Sequence, residues 1–147
     1  MTVASTDNKI IYTGDDSTTV FPYNFKIFAN TDLVVIIQVI ATGAETIQTI
    51  TTDYTVSGVG VVTGVNVTMI SAPSSTEKLI IKRVLPLTQT ADLVDNTAFS
   101  LEVLEEGFDR LVMITQELDE RLDRSILSDV TESTDYTFPS ASAGKAL

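Results

Sequence analysis

Residues 99–124 read FSLEVLEEGFDRLVMITQELDERLDR, and how this stretch folds decides how the rest of the chain is understood. Leu101, Leu104, Phe108, Leu111, Thr115, Leu118 and Leu122 succeed one another at spacings of 3, 4, 3, 4, 3 and 4. That is a heptad stripe with a single polar member, and it predicts a helix over residues 99–127. Ser100 is placed to cap it, and Glu102, Glu105 and Glu106 put negative charge at its positive end. Glu106–Arg110, Glu117–Arg121 and Glu120–Arg124 are i,i+4 pairs with the acid first, each worth about 0.2–0.5 kcal/mol to an exposed helix. Gly107 opposes them at roughly 1 kcal/mol. A stripe of this kind is buried most simply against copies of itself. The other solution is to fold back on the rest of the chain.

The preceding residues have a different period. NKIIYT (8–13), VFPYNF (20–25), LVVIIQVI (33–40), TIQTI (46–50), DYTVSGVG (53–60), GVNVTMI (64–70) and KLIIKRVL (78–85) read as short strands between turn-rich segments. Seven such strands predict a small β-sandwich or barrel, so the fold class is mainly β with one long helix after it. Leu33, Val35, Ile37 and Val39 lie on one side of the third strand, and Val34, Ile36 and Ile40 on the other. A strand apolar on both faces is normally covered on both, which points to a neighbouring subunit. Phe21, Tyr23 and Phe25 share a parity and so a face, which is either core or an aromatic patch for a partner. Residues 87–98 read as a polar connector, and 128–147, rich in Ser, Thr and Ala, as an extended linker or tail.

Composition narrows the function. Of 147 residues 44% are apolar, enough for a core, and the net charge is −11. Residues 100–135 carry eleven acids and three arginines, so the acidity belongs mainly to the helix and the ten or so residues after it. Like-charge repulsion argues against nucleic acid or an anionic membrane as partner. The N-terminus lacks the basic and apolar regions of a signal peptide, and the longest apolar run, 33–41, is about half a bilayer span.

With no His and no Cys, the commonest general base, the commonest zinc ligand and thiolate chemistry are all missing. Ser75 and Lys78 satisfy S-x-x-K, but S-D-N and K-T-G do not accompany them. GKAL (144–147) lacks the spacing of a phosphate-binding loop, and Asp15 and Asp16 lack the alternating ligands of a calcium loop. The expectation is a non-enzymatic protein that needs no cofactor or metal.

Four segments taken together resemble a known family. YTGDDSTTVFPYNFKIFANTDLVV, TTDYTVSGVG, VTMISAPSSTEKLIIKRVLPLTQTADLVDN and LEEGFDRLVMITQELDERLDRSI occur in an order similar to the N-terminal virion-attachment region of tail fibres and tailspikes of short-tailed, T-seven-type bacteriophages. The likeness spans residues 10–126. It implies a virion tail protein that trimerises and docks beside the ring and nozzle (tail tubular) proteins, with a receptor-binding fibre or tailspike beyond it. Asp16 departs from the family, where a second glycine is usual, and the chain stops at PSASAGKAL, where longer relatives continue into a shaft. It is then either a short adaptor or the anchoring part of a longer fibre.

On this reading residues 1–98 form a β-rich tail-attachment domain, 99–127 an oligomerising helix and 128–147 a linker. Trimer contacts are expected from Leu101, Leu104, Phe108, Leu111, Leu118 and Leu122. The tail contact is expected from Phe21, Tyr23 and Phe25. The competing reading is a secreted or surface β-sandwich of adhesin or carbohydrate-binding type. Such a module has little use for the leucine stripe and often shows an exposed Trp, which this chain lacks.

Overall fold

The computed structural model describes residue 3, residues 5–88 and residues 101–125. The connector 89–98, Ser100 with its expected cap, and the tail 128–147 lie outside the described residues. Among the described residues seven strands precede one helix: β1 (Lys9–Thr13), β2 (Val20–Pro22), β3 (Leu33–Val39), β4 (Glu45–Ile47), β5 (Tyr54–Val56), β6 (Asn66–Met69), β7 (Glu77–Arg83) and α1 (Leu101–Asp123). They form two antiparallel sheets, one in the order β1-β7-β3-β4 and one in the order β2-β6-β5. Both sheets are open, so the β part is a sandwich and not a closed barrel.

Alternation along each strand explains the core. In the larger sheet Leu33, Val35, Leu79 and Ile81 point inward. In the smaller one Phe21, Tyr54, Val67 and Met69 meet them, and Tyr23, Phe25 and Ile27 continue the inward parity beyond β2. Two phenols tie the layers together. The Tyr54 hydroxyl donates to the Leu33 carbonyl at 3.1 Å, and the Tyr12 hydroxyl to the Pro22 carbonyl at 2.6 Å. Burial pushes the pKa of both phenols up.

On the outer face of the larger sheet, Ile11, Ile80, Ile36 and Ile47 sit opposite one another across all four strands. Ile80 is buried and Ile36 half-buried, whereas Ile11 and Ile47 at the edges are exposed. The second apolar face of β3 is thus largely a cross-strand row within the sheet.

The GDDST turn departs from the glycine expected at its third position without losing its shape. Asp16 has φ +63°, a left-handed conformation that Asp tolerates better than most residues. The neighbouring Asp15 carboxylate accepts from the Ser17 and Thr18 amides and the Thr18 hydroxyl. Gly14 is fixed by space, because a Cβ there would lie 2.1 Å from the Ser74 carbonyl oxygen.

Candidate functional site, the two faces of the helix

Helix α1 does not stand clear of the sandwich. It lies against the strip formed by the start of β1, residues 26–28 and the end of β7, and it does so with its polar face. The Asp109 carboxylate pairs with Lys26 at 2.8 Å and accepts from the Val3 amide. Gln116 is held on three sides. Its side-chain oxygen accepts from Arg83 at 2.6 Å, its amide nitrogen donates to the Ser5 carbonyl, and its own carbonyl accepts from Asn8. The Glu117 carboxylate accepts from the Leu85 amide and from Arg121. Glu120 bridges Lys9 and Lys82, which are cross-strand neighbours in β1 and β7, and also accepts from Arg124.

The only apolar side chain among the buried residues described in the helix is the thioether of Met113, 0% exposed. Two cations, Arg110 from the helix and Lys26 from the sandwich, lie over the Phe28 ring at 4.2 and 4.7 Å. Arg83 is buried and stacks over Phe25 at 5.4 Å. Desolvation lowers its pKa, and the nearby charges of Glu117 and Asp32 offset part of that. Hydrogen bonds from Arg124 above all, with Lys9 and Lys82, hold the Glu120 carboxyl down to about 2. Among the described residues no buried side-chain polar atom lacks a partner, so the interface is satisfied throughout.

Two of the helix acids, Asp109 and Glu117, are buried in this seat. One expectation is corrected: Phe21, Tyr23 and Phe25 are 4%, 2% and 1% exposed, so they are core and cannot meet a tail protein without unfolding. The shared parity correctly groups the three. What decides between core and surface is which face the second sheet covers, and parity alone does not carry that.

The leucine stripe points the other way. Leu101, Phe108, Leu111, Leu118 and Leu122 are 49–74% exposed, and Leu104 is half-buried. At about 100° per residue, the stripe lies about 150° round the helix from the docked residues. In heptad terms, with Leu101 at a and Leu104 at d, the seated residues occupy b (Asp109, Gln116), c (Glu117) and f (Met113, Glu120). Those are the outward positions of a coiled coil. The ordinary arrangement, apolar side in and polar side out, is inverted.

A cleft of about 300 Å³ opens between the first turns of α1 and residues 26–28, lined by Lys26, Phe28, Gly60, Glu102, Glu105, Glu106 and Asp109. It pairs no nucleophile with a base. Among the described residues no cluster of acids is placed to hold a metal ion, and no helix is long and apolar enough to cross a membrane.

No family model matches the chain. It is 40% identical over 119 residues, 80% of its length, to the tail spike protein of Salmonella phage epsilon15. The chain is therefore similar to part of a phage tail spike. The matched part is 11% of that relative, so the likeness covers one small portion of a far longer polypeptide.

Proposed function

We propose that the chain is a non-enzymatic anchor or adaptor that attaches a trimeric fibre or tailspike to the tail of a short-tailed, T-seven-type phage. The observation that carries this reading is the 40% identity to a tail spike over four-fifths of the chain. The exposed heptad stripe supports self-association, since soluble monomers seldom expose so long a contiguous apolar strip. The number three comes from the resemblance in the sequence, because leucines at d with mixed a residues do not fix strand number.

In this assignment residues 1–98 grip the ring and nozzle proteins, 99–127 join the copies, and 128–147 lead toward the receptor-binding part. With the aromatic trio buried, the grip falls to residues exposed on the sandwich. Several sandwiches acting together let avidity offset weak single contacts.

The test is decoration. The purified chain is incubated with phage particles stripped of their spikes and imaged by electron microscopy. Density added at the tail is expected, and bare tails at saturating protein overturn the reading. In parallel, the chain is expected to leave host polysaccharide intact, and cleavage by the purified chain overturns the non-enzymatic half.

A further inference from the structure

We infer that α1 serves two interfaces at once: its b, c and f positions stay seated on the chain's own β-sandwich while its a and d stripe packs on the stripe of further copies, so that the sandwiches clad the outside of a helical bundle. This rests on the proposed self-association and adds how the parts are arranged. A helix that had to leave its sandwich to oligomerise would instead give a bare stem with domains splayed from one end.

Three observations carry it. First, the two faces do not compete, since no stripe residue is among the buried helix residues, which are Asp109, Met113 and Glu117. Second, Met113 is an apolar residue at an outward position. A free coiled coil would leave it in water, whereas here it is fully enclosed. Third, the seat is long. Its contacts run from Asp109 to Glu120, about 17 Å of helix. Undocking would leave the paired charges of that seat to find new partners.

The occupant of the stripe is a second copy because the 3-4 spacing over three heptads is self-complementary: each a or d residue fits a hole formed by four residues along the same stripe and its flanks on the facing helix. Exposed Val112, at an e position, widens the strip on one flank.

The chain has no cysteine, so introduced thiols report without background. Phe28 of the sandwich and Arg110 of the helix mark the rim of the seat, the guanidinium 4.2 Å over the ring, and neither belongs to the stripe. The full chain carrying Phe28→Cys and Arg110→Cys is joined by a short bismaleimide and compared with a chain carrying Leu118→Cys alone. Three results are expected. The first pair links within one polypeptide, Leu118→Cys forms a disulfide between copies, and the internally linked chain keeps its association constant within about twofold, as independent sites do.

A linked chain that sediments as a monomer overturns the inference, because docking and self-association would then exclude each other. Links formed between copies, or none at all, also overturn it. An unmodified chain that sediments as a monomer removes the self-association reading itself, and this inference with it.

Discussion

The interior of the sandwich is closed to water and the seat of the helix largely so, yet they are built from opposite materials. Between the sheets Phe21, Tyr23, Phe25, Leu33, Val67 and Ile81 exclude solvent with hydrocarbon and tilted aromatic rings. Under the helix Asp109, Gln116, Glu117 and Glu120 meet Lys26, Arg83, Lys9 and Lys82 around one methionine. Hydrocarbon contact is non-directional and forms readily in several registers. A set of buried charges is tolerated in few arrangements, because each unpaired one carries a desolvation penalty. The sandwich interior therefore supplies stability, and the seat supplies one orientation of the helix.

The largest effect that breaks this contrast is expected in the sandwich. Phe25→Ala removes a ring that is 1% exposed and stacked against Arg83, and should cost about 3–5 kcal/mol in denaturant unfolding. The whole sandwich should lose stability cooperatively. A loss below about 1 kcal/mol would return the aromatic trio to the surface role that its sequence pattern also allowed.

The seat comes next. Asp109→Ala takes the partner at 2.8 Å from Lys26 in a pair whose side chains are 6% and 12% exposed, and should weaken helix docking by on the order of 3 kcal/mol. Hydrogen exchange of the α1 amides reads that loss while the sandwich amides keep their protection. Glu106→Ala, which breaks the exposed pair to Arg110, should cost only about 0.3–0.5 kcal/mol. Equal effects from the two would mean that the seat is no more buried than the outer face.

Much of this was legible in the sequence. Period-2 alternation placed all seven strands, and the heptad spacing placed the helix to within a few residues. Asp16, where the resemblance led one to expect a glycine, adopts a left-handed φ that glycine would take freely. What stayed hidden was long-range. The sequence pairs Glu117 and Glu120 with Arg121 and Arg124 at i,i+4, and these pairs exist. Nothing local says that the same carboxylates also reach Leu85, Lys9 and Lys82, which lie far away in the chain. The available signal was Met113, apolar on the face opposite the leucines, which an exposed helix would not need.

Acid sharpens the contrast further, because it acts on the seat and spares the hydrocarbon. The Glu120 carboxyl titrates at about 2 in the folded chain, against 4.5 for the free group. Its contribution is complete above pH 4.5, falls as the pH drops through the window between the two values, and is lost below about 2. The slope it adds is at most ~1.4 kcal/mol per pH unit. Glu120→Gln should remove that part of the slope, read as the difference between the two proteins' docking across that acid window. Identical curves would show that Glu120 is not held by its three cations. A smaller change is expected at the turn, where Asp16→Gly relieves a left-handed residue but loosens the unfolded chain, for a net shift within about 0.5 kcal/mol.

The smallest effect on the folded chain is expected from the face of α1 that looks the most important in the sequence. Leu111 and Leu118 are 62% and 49% exposed, and neither touches the seat, so replacing both by Asp removes no buried contact within one copy. The unfolding free energy at concentrations where the chain is monomeric should stay within about 0.5 kcal/mol. Association should be abolished, because in a bundle each aspartate would be buried without a partner. Met113→Asp is the mirror experiment on the same helix. It places a charge in the closed seat and should undock the helix while leaving the stripe chemically unchanged. The two substitutions separate the faces: one protein that docks but sediments as a monomer, and one that associates but no longer protects its helix through the sandwich. If Leu111→Asp with Leu118→Asp instead destabilises the monomer by several kcal/mol, the stripe is part of the chain's own core and the division of α1 into two working faces fails.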